Sequence, residues 1–153
     1  MQVRHAARES LRADRNLEDE RRRQRKKDTI DAMVSSSRQW EEFRMALPWN
    51  DRDKENVQAY LQHIERKPAA RAPVRNYLDF LEVVAVGVNS GVFDIDTVSR
   101  MVDGRILAVT ENYMPYINLR RDELRSPSLY SELEVMARST RNHRDRESAS
   151  ANG

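Results

Sequence analysis

Val74-Arg75-Asn76-Tyr77-Leu78-Asp79-Phe80-Leu81-Glu82-Val83-Val84-Ala85-Val86-Gly87-Val88-Asn89 decides how the rest of the chain is read. Tyr77, Leu78, Leu81, Val84, Ala85 and Val88 recur at the spacing of one helical face, and Phe80 and Val83 widen that face nearly all round. The β-branched run 83–88 competes as a strand. Helix is preferred because the apolar pattern holds for about four turns, longer than a usual strand. A helix this apolar needs others to cover it, so the stretch predicts the centre of an all-α bundle. Gly87 predicts a close contact, and Asn89-Ser90-Gly91 predicts a stop with Gly91 in the left-handed position after the helix.

Downstream, Asp94 is placed to cap a short helix reaching about residue 102, with Ile95, Val98, Met101 and Val102 inward. After the Asp103-Gly104 junction, a helix over 105–125 carries Ile106, Leu107, Thr110, Tyr113, Met114, Ile117 and Leu124, with Pro115 in its interior as a kink. Ser126-Pro127 reads as N-cap and first helical residue of a last helix, with Leu129, Tyr130, Leu133, Val135, Met136 and Ala137 inward or at its border. Beyond Ser139 the chain turns polar, Glu147 to Gly153 is small and hydrophilic, and residues 141–153 are expected to form a disordered tail.

Upstream, residues 67–73 form a connection. Before it, Val57, Tyr60, Leu61 and Ile64 give a helix capped by Asn50 or Asp51. Ile30, Met33, Val34, Ser37, Trp40 and Leu47, with Phe43 beside them, give a helix over 28–47 that Pro48 ends. Residues 1–27 are rich in helix formers but carry only Val3, Ala7, Leu11 and Leu17 as an apolar stripe, which predicts a charged helical extension. The organisation expected is thus an extension over 1–27, a bundle of five to six helices over 28–140, and a tail over 141–153.

Composition agrees. Charged residues make up 34% of the 153-residue chain, which suits helices with one buried stripe each. There is no cysteine, so disulfides, thiolate nucleophiles and cysteine metal sites are excluded; this is compatible with the cytoplasm, where the protein is expected. No apolar run approaches the roughly 20 residues of a membrane span, and the charged start lacks the apolar core of a secretory signal. Both point to a soluble protein.

Several stretches, taken in order, resemble one known family from about residue 21 to 140. They are the basic start followed by the amphipathic stretch from Arg22 to Phe43, the 74–82 helix, and Gly87 through Gly91-Val92-Phe93-Asp94. The most specific are Gly104-Arg105-Ile106-Leu107, Glu111, Tyr113-Met114-Pro115-Tyr116-Ile117 and Arg120-Arg121. Together they are similar to a family of small bacterial and phage proteins classed as a domain of unknown function, DUF4760. The resemblance implies a compact helical bundle and no assigned activity. Many members of that family begin with a membrane-spanning helix, where this chain has charged residues instead.

Candidate chemistry is sparse. Glu82 sits in an apolar run and Glu111 on another core helix. Burial would suit both to acid–base work, but contacts with Arg75, Arg105, Arg120 or Arg121 are the favoured reading, making Glu82, Glu111, Arg120 and Arg121 a structural polar network. His5, His63 and His143 are too scattered for a metal site, and no metal or cofactor is expected. Ser35-Ser36-Ser37 lacks the glycines of a nucleophile elbow, and Gly87, Gly91 and Gly104 fit no phosphate loop. Trp40, Tyr60, Tyr77, Tyr113, Tyr116 and Tyr130 are expected in the core.

What remains is a candidate interaction surface. Residues 1–27 hold ten Lys/Arg against five Asp/Glu, a net +5 that leaves −3 for the remainder. The charge peaks at Arg21, Arg22, Arg23, Arg25, Lys26 and Lys27. Trp49, in the Pro48-Trp49-Asn50 turn, is a candidate anchor for a partner. The function expected is a non-enzymatic interaction or regulatory module that binds a protein partner or a second copy of itself. Nucleic acid is the alternative, through phosphate contacts without interleaved aromatics. An anionic membrane surface is a further one.

Overall fold

The computed structural model describes residues 2–47, 50–102 and 104–151. Among the described residues there are seven α-helices and no strand, against the five to six helices expected for the bundle. They are α1 (Gln2–Ser35), α2 (Ser37–Met45), α3 (Lys54–Glu65), α4 (Ala72–Asn89), α5 (Ile95–Met101), α6 (Arg105–Leu124) and α7 (Ser131–Ala151), with a 3-10 turn at Pro68–Arg71.

α4 is the axis of the core. Its Val74, Tyr77, Leu78, Leu81, Val84 and Ala85 are buried. They pack chiefly against α7, which contributes Leu133, Met136 and Ala137. Ile106, Val109, Tyr113, Tyr116 and Ile117 from α6, and Val57 and Ile64 from α3, close the same cluster. α2 lies against α4 through aromatic rings: Trp40 sits 5.3 Å from Tyr77 and 5.6 Å from Phe80, and Phe43 sits 6.0 Å from Phe80. These are the offset and edge-on spacings that aromatic pairs favour.

The ends of α4 and α5 follow from local chemistry. Ser90 closes α4, and Gly91 follows at φ +75, as expected. Asp94 caps α5 by accepting the Thr97 N–H at 3.0 Å. Gly87 serves a different contact from the helix packing expected of it. A Cβ there would overlap the Phe93 ring, and the Phe93 N–H donates to the Gly87 carbonyl at 2.9 Å. Gly87→Ala should therefore lower stability by about 1–3 kcal/mol despite better helix propensity, because the Phe93 ring must leave its seat. A thermal melt equal to or above wild type would contradict that.

Elsewhere the structure corrects the sequence reading. The extension and the first bundle helix are continuous as α1, with no break at residue 27, and the bend comes at Ser36. There Ser35 Oγ and Ser36 Oγ donate back to the carbonyls of Asp31 and Ala32, the type of side-chain bond that bends a helix. Thr29 and Met33 are buried, whereas Ile30 and Val34 are exposed. Val83, Met101 and Leu124, also expected inward, are exposed as well. The cap of α3 is Asp53, which accepts from the N–H groups of Glu55 and Asn56; Asp51 is buried instead. α7 starts at Ser131, after Ser126-Pro127, because its first amides find their acceptor in Glu82 rather than in Ser126. Residues 141–151, expected to lack regular structure, continue α7. Arg, Glu and Ala propagate a helix readily once the preceding turns have nucleated it.

Candidate functional site

α1 is 34 residues long, about 51 Å at the usual rise. Its buried residues from Glu9 onward, Thr29 and Met33, lie toward its C-terminal end. Every residue from Glu9 to Arg25 is exposed, including Leu11 at 59% and Leu17 at 51%. From Glu9 onward the first buried side chain is Thr29, whose hydroxyl donates to the Arg25 carbonyl at 2.7 Å and accepts the Asp94 N–H at 2.8 Å. One hydroxyl thus pins α1 to the start of α5. Met33 adds the apolar half of the dock. Thr29→Val keeps the volume but strands the Asp94 amide, at about 1–3 kcal/mol. The expected readout is faster hydrogen exchange across residues 29–36; unchanged exchange there would show that the hydroxyl is not the pin.

The six basic residues are not one patch. Successive residues on a helix point about 100° apart, so the run wraps the cylinder. Arg22 and Lys26 lie beside Asp94. Burial alone would raise the Asp94 carboxyl, but bonds from the Thr97 hydroxyl and N–H, with Lys26 and Arg22 nearby, bring it below its usual value. Lys27 pairs with Asp31 at 3.3 Å. Arg21, Arg22 and Arg25, with Leu17, Glu18 and Asp94, line a shallow cleft of about 420 Å³ where α1 leaves the bundle. Arg21, Arg23 and Arg25 are exposed. Trp49 lies outside the described residues.

The segment after Trp49 reveals a polar centre that the sequence reading missed. The Asp51 carboxylate is buried; it accepts from Tyr77 Oη at 2.7 Å and pairs with Arg105 Nη1 at 3.4 Å. Asn112 Nδ2 donates to the Asp51 carbonyl at 3.0 Å. Tyr113 Oη is buried nearby with no hydrogen-bond partner among the described residues. Burial first, then the Asp51 charge, pushes the Tyr77 phenol far above its usual range, so it stays a neutral donor. The centre clasps the 50–53 segment to α4 and α6. Its clue in the sequence was Asp51-Arg52-Asp53: two acids before one helix, of which one can cap and the other must be placed otherwise.

The remaining candidates separate. Glu82 and Glu111 both reach α7, but far apart. Glu82 accepts the N–H groups of Glu132 and Leu133, whereas Glu111 pairs with Arg141. Those positions lie about 12 Å apart along the helix, so the two carboxylates share no pocket. Burial raises the Glu82 carboxyl, against the lowering effect of the two amides it accepts. Arg121 holds Glu134 and the Leu129 carbonyl, and Arg120 shares Glu123 with Arg71. Arg121 also lowers the Glu82 carboxyl through its nearby charge, so the four residues expected as one network fall into three local groups. Ser35-Ser36-Ser37 forms the bend, and His63 is exposed at the end of α3. A groove of about 400 Å³ between α3 and α6 is lined by Leu61, Ile64, Pro115, Tyr116 and Leu119, with the charged Arg71 and Glu65. The Arg71 guanidinium is already spent on Glu123 and the Glu65 carbonyl. Among the described residues no group of three His, Asp or Glu side chains is placed to hold a metal, and no helix is long and apolar enough to cross a membrane.

Comparison with curated proteins and with solved structures finds no match. A family model does match, the domain of unknown function DUF4760, over residues 8–140. The match takes in most of the exposed length of α1 as well as the bundle, reaching further upstream than the resemblance noted from residue 21. On that extent, from the projecting helix through the middle of α7, the chain belongs to the DUF4760 family.

Proposed function

We propose that this protein is a non-enzymatic interaction module, acting in the cytoplasm, whose docking element is the projecting part of α1. The observation that carries the reading is a helix exposed on all sides from Glu9 to Arg25 while anchored firmly at Thr29 and Met33. Most helices in proteins owe their stability to packing, and one that is polar all round bridges domains, relies on its own i,i+4 pairs or lacks stability by itself, so a partner would supply the packing this segment lacks. Two further features support it. Cations and exposed leucines share this segment. Glu82 and Glu111 are spent on α7.

The test uses Arg21, Arg23 and Arg25, because Arg22 and Lys26 also serve the dock beside Asp94. The full-length tagged protein and its Arg21→Glu, Arg23→Glu, Arg25→Glu variant are used to recover partners from cells, with nuclease present. The expected result is a stoichiometric protein partner with wild type and none with the variant, at unchanged helix content. Equal recovery with both would remove α1 from the binding surface. Nucleic acid that is recovered only without nuclease would replace this reading with a nucleic-acid-binding one.

A further inference from the structure

The charge order along α1 identifies a partner for it. Residues 14–20 hold Asp14, Glu18, Asp19 and Glu20 against Arg15, a net −3; residues 21–27 hold six Lys/Arg and no acid. The helix is thus an acidic block followed at once by a basic block, both exposed except for the half-buried Lys26. Three consecutive acids at 18–20 and three consecutive arginines at 21–23 each cover more than half of the helix circumference. Their complementarity therefore does not depend on which face of α1 is presented.

We infer that α1 pairs with the α1 of a second copy of this chain, antiparallel, about a dyad between Glu20 and Arg21. This rests on α1 being the docking element. In that register each acid of the block lies level along the axis with a base, Glu20 with Arg21, Asp19 with Arg22, Glu18 with Arg23 and Asp14 with Lys27, and those on the side turned to the partner can pair. Arg15 against Lys26 is the one like-charge pair. A parallel pairing in register would set the six cations of one copy on the six of the other, which like-charge repulsion disfavours. The bundle leaves room, because it occupies the Thr29 and Met33 face of α1 while Ile30 and Val34 face outward. An isologous dimer of this type closes on itself and does not polymerise.

Exposed ion pairs are individually weak and are screened by salt. Association should therefore be reversible and salt-dependent, with the dissociation constant rising at least about tenfold between about 50 and 500 mM salt. Sedimentation velocity on the full chain reads this directly. Two variants complete the test: Glu18→Arg, Asp19→Arg, Glu20→Arg, and Arg21→Glu, Arg23→Glu, Arg25→Glu. Each alone should be monomeric, and their equimolar mixture should associate again, which a variant that merely melted α1 would not do. Orientation is read from Ala13→Cys in this cysteine-free chain. An antiparallel pair holds the two introduced sulfurs about 22 Å apart and prevents their disulfide, whereas a parallel pair forms it. A wild-type chain that stays monomeric at low salt up to about 1 mM, a mixture that stays monomeric, or ready disulfide formation by the Ala13→Cys variant would overturn the assignment. If wild type is monomeric but the arginine variant still loses its cellular partner, only the second copy falls. If capture is unaffected as well, α1 is not the docking element.

Discussion

Asp51→Ala should cost about 3–5 kcal/mol, the range for breaking a buried charge pair from one side. The Asp51 side chain is 4% exposed and that of Arg105 20%. Its removal also strands the phenol of Tyr77, which is fully buried at the centre of α4. For a chain of this size the loss corresponds to a fall in melting temperature of roughly 6–20 °C. Two controls sharpen the expectation. Asp51→Asn keeps an acceptor for Tyr77 and should cost less. Asp53→Ala removes only the α3 cap and should cost about 1 kcal/mol. If Asp51→Ala melts no lower than Asp53→Ala, the clasp between the 50–53 segment and the core is not a main support of the fold.

Alkaline pH should produce the second large effect. All five tyrosines, Tyr60, Tyr77, Tyr113, Tyr116 and Tyr130, are held above their ordinary value, in each case by burial first. Asp51 adds to the rise at Tyr77 and Tyr113, and the bond from Tyr130 Oη to Asp79 at 2.7 Å adds to it at Tyr130. An unfolded tyrosine ionises near pH 10. Below that, both states keep the proton and the stability is fully present. Above it, the unfolded chain releases protons that the folded one retains, and stability is lost as pH climbs toward the raised folded values. The slope approaches about 1.4 kcal/mol per pH unit for each fully buried tyrosine. Tyrosinate absorbance and helical ellipticity should therefore change together in one steep step above pH 10. Several tyrosines ionising near pH 10 with the helices intact would show that the phenols are not held as described.

Elements set by local chemistry were legible in the sequence: α4 from its apolar spacing, α5 from Asp94, and the stop after α4 from Gly91. The misreadings arose where two local signals competed and tertiary contact chose between them. Asp51 and Asp53 both suit a cap, and the buried Tyr77 and Arg105 claim the first. Ser126-Pro127 has the form of a helix start, but the Glu82 carboxylate sets the true one at Ser131. Ile30 and Val34 have core chemistry, but the Asp94 amide bound by the Thr29 hydroxyl sets Thr29 and Met33 against the bundle instead. The basic run of α1 was plain from composition. Its division was not, because the docking of Arg22 and Lys26 beside Asp94 depends on a turn some 65 residues downstream of Thr29.

Hydrogen–deuterium exchange on the full chain, alone and in the complex recovered from cells, bears most directly on α1 as the docking element. The expected result is rapid exchange of the amides of residues 9–25 in the free, dilute chain, slow exchange in α4, and strong new protection of residues 9–25 in the complex. Protection confined to the α3–α6 groove or to the α4 surface, with residues 9–25 exchanging as fast as in the free chain, would contradict it.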